Sequence, residues 1–153
     1  FCHVHSKFLY LLKLNTVMNA FLRNGLAIIV GIGIGAIVNF GIILISGSII
    51  PPPEGVDTSD IESIKNAMNL YEPIHFLFPF LAHAIGTFVG SLTAAKIAVS
   101  AHTKVALVVG VIFLYGGFSM VTQLPSPLWF NLLDLIVAYI PMAWLGAVVV
   151  KTK

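Results

Sequence analysis

Four long apolar runs determine what this chain can fold into. A helix rises 1.5 Å per residue and the hydrocarbon layer of a bilayer is about 30 Å thick, so a run of about 18 apolar residues is long enough to cross it. All four runs exceed that length, and they cover residues 25–50, 74–95, 105–124 and 128–150. The sequence therefore predicts four transmembrane helices.

The composition agrees with a membrane environment. Charged residues make up 9% of the chain and hydrophobic residues 58%, whereas a soluble domain usually carries about 25% charged residues. So few charges cannot cover a surface that faces water, and lipid is the solvent that such a surface fits. The net charge of +2 is too small to indicate a nucleic-acid partner.

The connections between the later runs are short. Residues 100–104 join the second run to the third, and Pro125, Ser126 and Pro127 join the third to the fourth. Such connections favour antiparallel neighbours. We therefore expect an all-α fold in which residues 18–153 form a single domain, a four-helix transmembrane up-down bundle.

Residues 1–17 differ from the rest of the chain. Lys13 interrupts their apolar stretch and no small-residue cleavage site follows, which makes them a poor signal peptide. Met18 precedes a short polar and basic lead and then the first apolar run. We expect the natural start at Met18, with 1–17 as a non-native or disordered extension; an amphipathic helix on the membrane surface is the alternative.

Basic residues predict the orientation in the membrane. Seven of the eight lie before the first run, between the second and third, or after the fourth: Lys7, Lys13, Arg23, Lys96, Lys104, Lys151 and Lys153. The 51–73 segment holds one lysine and five acidic residues. By the positive-inside rule we expect both termini in the cytoplasm and the 51–73 loop outside, which means in the periplasm if the cell is Gram-negative.

The 51–73 loop has a predicted helix of its own. Three consecutive prolines cannot continue the first helix. Ser59 and Glu62 have the spacing of a capping box, and Ile61, Ile64 and Met68 follow on one helical face. We expect a short amphipathic helix at about 59–70, on the outer membrane surface or over the mouth of the bundle.

Four polar residues inside the runs form the candidate site. Asp134 lies about 9 Å and His83 about 13 Å inside the external ends of their helices, Asn39 lies at a similar depth, and Asn131 is one turn from Asp134. An ionisable group in hydrocarbon is costly and marks function by default. These residues predict a ligand or proton site; a network that only holds helices together is the alternative.

Small residues mark the expected helix contacts. Gly31 and Gly35 lie in the first run, and Gly86 and Gly90 in the second, at the four-residue spacing that lets helices approach closely. Pro79 and Pro141 lie inside the second and fourth runs and are expected to kink them.

Motifs for metals and cofactors are lacking in the sequence. His75 and His83 are eight residues apart, so the two side chains do not meet one metal ion, unlike the i, i+4 pair of a zinc helix. The GIGIGA run does not have the spacing of a nucleotide-binding loop. A single cysteine, Cys2, excludes an intrachain disulfide. We predict no metal and no cofactor.

Three segments carry a resemblance to known proteins: PPPEGVD, EPIHFLFPFLAHAIGTFVGSLTAAKIA and PLWFNLLDLIVAYIPMAWLG. Together they resemble a family of small four-helix bacterial inner-membrane proteins without an established activity. The resemblance extends from Met18 to Lys153. It implies a topology and transfers no catalytic residue.

Three functions stay open at this point. The chain binds or passes a small polar solute or a proton at the polar cluster; it is a non-catalytic accessory subunit or scaffold; or it is a membrane enzyme with His83 and Asp134 as an acid–base pair. The enzyme ranks last because no nucleophile or cofactor motif accompanies the pair. The expected partners are the lipid bilayer and either a second copy of the chain or an unidentified membrane protein.

Overall fold

The computed structural model describes the backbone of residues 2–151 and the side chains of residues 19–150. Within these residues every regular element is helical. The six α-helices are α1 (Cys2–Ile49), α2 (Ile61–Asn66), α3 (Leu77–Ile97), α4 (His102–Gln123), α5 (Leu128–Val137) and α6 (Ile140–Lys151). Short 3₁₀ helices at Met68–Leu70 and Pro73–Phe76 connect α2 to α3.

Four helical segments of the described chain are long and apolar enough to cross a membrane. They are Asn19–Ile49, Pro73–Ile97, His102–Gln123 and Leu128–Val150. The prediction of an all-α chain with four such segments is confirmed. The hypothesis of a separate extension at residues 1–17 concerns side chains outside the described residues, and it stays a prediction.

Helix α3 is central, because it contacts α1, α4 and α6. Its contact with α1 depends on glycine. A Cβ atom on Gly31 would lie 2.6 Å from the carbonyl oxygen of Gly90, and one on Gly35 would lie 2.7 Å from that of Gly86. Real Cβ atoms do not come so close, so the two backbones touch only because these four positions have no side chain.

Asn24 joins α1 to the turn between α3 and α4. Its Nδ2 donates to the carbonyl oxygen and the hydroxyl of Ser100, and its Oδ1 accepts from the backbone N–H of Val99. Ala101 ends this turn in the left-handed conformation, with φ at 51°. The contact between α1 and α3 is therefore specified at two places: by the glycines along the two helices and by Asn24 at the turn after α3.

The helix predicted at about 59–70 is shorter than expected. Asp57 accepts hydrogen bonds from the backbone N–H and the hydroxyl of Ser59, which holds Ser59 in a turn. Asp60 is the N-cap instead, and its carboxylate accepts from the N–H of Glu62. The α-helix then spans only Ile61–Asn66.

This loop packs over one end of the bundle. Buried Met68 contacts Phe76 and Phe130, and Ile64 and Tyr71 pack against the same cluster. Burial also raises the pKa of Tyr71 above its ordinary value. Of the two placements predicted for the loop helix, the structure has the one over the bundle end.

The two prolines act differently. Pro141 is the second residue of α6, and the helical run is interrupted between Val137 and Ile140; proline has no N–H to continue the ladder, and its ring clashes with the preceding turn. Pro79 is the third residue of α3, in the first turn, where a missing N–H costs little. The kink expected in the second run is replaced by a helix start.

Candidate functional site

Asp134 is the centre of the candidate site. It lies in α5 with 2% of its surface exposed. Both carboxylate oxygens lie 2.9 Å from Nδ1 of His83 in α3, and Oδ2 accepts a hydrogen bond of 2.8 Å from the hydroxyl of Tyr139. Hydrogen bonds that an ionised carboxylate accepts are among the strong ones. The residues Asp134 and His83, which the sequence predicted to meet, are therefore in direct contact.

The positions of the protons follow once Asp134 is taken as ionised. With Asp134 ionised, Nδ1 of His83 carries a hydrogen and donates it to the carboxylate, while the Tyr139 hydroxyl donates its own hydrogen to Oδ2. The Tyr139 oxygen, 3.0 Å from Nδ1, then accepts a share of the same N–H. Nε2 of His83 is left as the acceptor nitrogen of the ring.

Nε2 is also the free nitrogen of the ring. It has no hydrogen bond to any residue whose side chain is described, and it is not among the buried atoms without a partner. About a quarter of the His83 side chain is exposed. The pair thus has a closed side at Asp134 and an accessible side at Nε2.

Tyr139 was not predicted from the sequence. In a regular helix residues five apart lie about 140° apart around the axis, so Asp134 and Tyr139 would point in different directions. Because the helix is interrupted between Val137 and Ile140, the Tyr139 side chain points toward Asp134 instead. Gly117 of α4 leaves the space that the ring needs, since a Cβ there would collide with the Tyr139 hydroxyl. The nearest signal in the sequence is Pro141, two residues after the tyrosine.

A cavity of about 330 Å³ lies beside the pair. Its lining comes from α1, α3, α4 and the α5–α6 junction: Ala36, Asn39, His83, Thr87, Phe113, Gly116, Gly117, Met120 and Tyr139. Such a volume is at the lower end of the range for small-molecule sites, which is about 300–1,000 Å³. Residues of α1, α3, α4 and the α5–α6 junction therefore meet at one space; Asp134 is not in this lining and is linked to it through His83 and Tyr139.

Two further polar side chains of this cavity lack partners. Oγ1 of Thr87, one helical turn after His83, is buried, and it neither donates nor accepts a hydrogen bond among the described residues. A buried polar atom of this kind costs about 1–3 kcal/mol unless a water or a ligand satisfies it. The Asn39 amide also has no hydrogen bond within the described side chains, and it lines the same space. Thr87 was not predicted.

Asn131 is not part of this cavity. Its Nδ2 donates to the carbonyl oxygen of Ser126 in the α4–α5 connection, and its Oδ1 is buried without a partner. His75 lies in the 3₁₀ helix before α3, where its Nδ1 accepts from the N–H of Glu72. Of the four predicted site residues, His83 and Asn39 line the cavity, Asp134 bonds to His83, and Asn131 lies apart from them near the start of α5.

The site has no set of metal ligands. Within the described part of the chain, no three His, Cys, Asp or Glu residues lie close enough together to hold a metal ion. The chemistry at hand is that of hydrogen bonding and proton transfer at His83. No known protein family matches the chain, and no curated protein or solved structure is significantly similar to it.

Proposed function

We propose that the chain is an integral inner-membrane protein whose four apolar segments form an up-down bundle. The connections support this arrangement: from Ile97 to His102 the chain reaches at most roughly 18 Å, less than the hydrocarbon thickness of about 30 Å. Successive segments therefore turn back on the side where they emerge. The distribution of basic residues supports cytoplasmic termini and an external 51–73 loop.

The bundle binds or passes a small polar solute or a proton at the Asp134–His83 pair. One observation carries this proposal: a buried carboxylate, bonded to His83 and Tyr139, lies beside a cavity lined by polar groups without partners. A network that served only to join helices would satisfy its own polar atoms. Here the Asn39 amide and Nε2 of His83 have no hydrogen-bond partner among the described side chains and are available to a solute or a water.

The geometry suits proton transfer. Nε2 accepts a proton from a water or a solute in the cavity, and the resulting imidazolium keeps its Nδ1–H bond to the Asp134 carboxylate, which balances the charge. Tyr139 holds the carboxylate in place through Oδ2. Without Asp134 the imidazolium would be an unpaired charge inside the span, which is costly.

A scaffold function has its own supporting observation. The hydrogen bonds of Asp134 join α5 to α3 and to the residue before α6, and the glycine contact joins α1 to α3. These contacts would hold a bundle together whether or not a ligand binds. In that case the partner is another membrane protein or a second copy of this chain.

Proton flux into liposomes separates the two functions. The purified chain is reconstituted with a pH-sensitive dye inside, and a potassium gradient with valinomycin drives protons inward. We expect Asp134→Asn, which keeps a hydrogen-bonding side chain but removes the charge, to lower the flux about 100-fold and leave the fold intact. The control, Glu54→Gln in the exposed loop, should leave the flux unchanged.

Either of two results would contradict proton passage. One is a flux through the unaltered chain no faster than that of empty liposomes. The other is a folded Asp134→Asn variant with undiminished flux, which would favour the scaffold.

A further inference from the structure

We infer that the cavity beside His83 binds a neutral, lipid-soluble molecule that has one carbonyl or hydroxyl head group and an apolar body. This ligand class rests on the proposed membrane position of the bundle, and it takes the place of the small polar solute named above; the proton proposal is unaffected. Three properties of the cavity carry it: its charge, its polar groups and its opening.

The charge of the cavity favours a neutral ligand. No lysine or arginine lines it, and a protonated His83 is already paired with Asp134, so an anion would find no free counter-charge. The Asp134 carboxylate is not offered to a cation, because both of its oxygens are engaged by His83 and Tyr139. Moving an ion into such a space without a partner is strongly unfavourable.

The polar groups suit one small head group. The amide of Asn39 donates and accepts, and His83, whose Nε2 has no hydrogen bond among the described side chains, lines the same cavity. A carbonyl or hydroxyl oxygen between Asn39 and His83 would bond to one or both of them, whereas Oγ1 of Thr87 is buried in the wall. The side chains of Phe113 and Met120 are apolar and line the remaining space, where a ring or short hydrocarbon fits.

The opening faces the side of the bundle. The exposed lining residues are Ala36 on α1 and Gly116 and Met120 on α4, whereas Thr87 on α3 is buried. Gly116 lies roughly 10 Å from the Gln123 end of α4, inside a hydrocarbon layer of about 30 Å. A molecule that enters between α1 and α4 therefore comes from lipid.

Benzophenone is a suitable probe, since it is neutral, apolar and carries one carbonyl. Under near-ultraviolet light its excited carbonyl oxygen takes a hydrogen atom from a nearby C–H bond, and the two carbon radicals combine into a stable adduct. Met120 supplies such bonds inside the cavity. The full chain in liposomes is irradiated with benzophenone, and adducts are located by peptide mass spectrometry.

Two variants and one control test the site. Asn39→Leu keeps the size of the side chain and removes the amide, and we expect about ten-fold less labelling at Met120, the effect of one lost hydrogen bond. Gly116→Leu should abolish labelling, because a Cβ there meets open space and the side chain fills the mouth. Gly47→Leu is the control: its Cβ is equally free, and it lies outside the cavity.

The anionic analogue benzophenone-4-carboxylate tests the charge. We expect it to label Met120 far less than benzophenone does at the same membrane concentration. Equal labelling by the two probes, or labelling by benzophenone that neither Asn39→Leu nor Gly116→Leu reduces, overturns the inference. Proton flux is measured on the same liposomes. If the flux depends on Asp134 but labelling is not specific, only the inference about the ligand is wrong. If labelling is specific but the flux does not depend on Asp134, only the proposal of proton passage is wrong.

Discussion

Nδ1 of His83 lies 2.9 Å from both carboxylate oxygens of Asp134 and joins α3 to α5 inside an apolar bundle. The two residues are 51 positions apart in the chain. The contact leaves Nε2 of the same ring without a hydrogen bond among the described side chains, and His83 lines a cavity, so one side chain links a buried charge to a space that a ligand can occupy.

The first prediction concerns how Asp134 stabilises the fold. Asp134→Asn keeps an acceptor for His83 and Tyr139 and should lower the free energy of unfolding by about 1 kcal/mol. Asp134→Leu leaves the Tyr139 hydroxyl without its acceptor and His83 with only the Tyr139 oxygen, and it should cost about 3 kcal/mol. Thermal unfolding in detergent, followed by circular dichroism, measures both. Equal losses would mean that the hydrogen bonds of Asp134 are not formed.

The second prediction concerns the contact between α1 and α3. In Gly35→Ala the new Cβ would lie 2.7 Å from the carbonyl oxygen of Gly86 and 2.9 Å from the Phe113 ring. We expect a loss of about 1–3 kcal/mol from this overpacking. The matched control is Gly33→Ala, two residues earlier, whose Cβ meets nothing within 4 Å; it should be nearly neutral. Similar stabilities for the two variants would refute the close approach of the helices.

Adjacent glycines in α4 provide the third prediction. Gly117→Ala places a Cβ against the Tyr139 hydroxyl, so the ring must move away from Asp134. Proton flux and the unfolding temperature should both fall. Gly116→Ala, whose Cβ meets open space, should leave the two quantities as they are. If Gly117→Ala and Gly116→Ala have the same proton flux, the flux does not depend on the position of Tyr139.

The fourth prediction uses the accessible nitrogen of His83. Diethyl pyrocarbonate acylates unprotonated imidazole nitrogens that it can reach, and mass spectrometry identifies the modified histidine. We expect His83 to be modified, and Gly116→Leu to slow its modification without changing that of His75 in the 3₁₀ helix. An unreactive His83 in the folded chain would mean that the cavity does not reach Nε2.

The sequence was sufficient to predict the four long apolar helices. Their signal is local, because a run such as 105–124 shows its length and its lack of charge without any knowledge of its neighbours. The meeting of Asp134 with His83 was also accessible, since a costly group in a span needs a partner and few polar side chains lie at its depth.

Other parts of the site depend on details of turns that composition does not determine. The direction of the Tyr139 side chain follows from the interruption of the helix between Val137 and Ile140 and from the space at Gly117. Asn131 bonds to Ser126, because the turn between α4 and α5 presents that carbonyl. The N-cap of α2 is Asp60 and not Ser59 for a similar reason, because Ser59 is held by a local hydrogen bond to Asp57.

A double-mutant cycle of Asp134→Asn and His83→Gln, with proton flux as the readout, tests the central claim most directly. If the two side chains act as one unit, either change alone removes most of the flux and the double variant loses little more, so the effects are not additive. All three variants must first unfold cooperatively, to show that they are folded. Flux losses that simply multiply, or a flux that none of the three folded variants changes, would contradict the account.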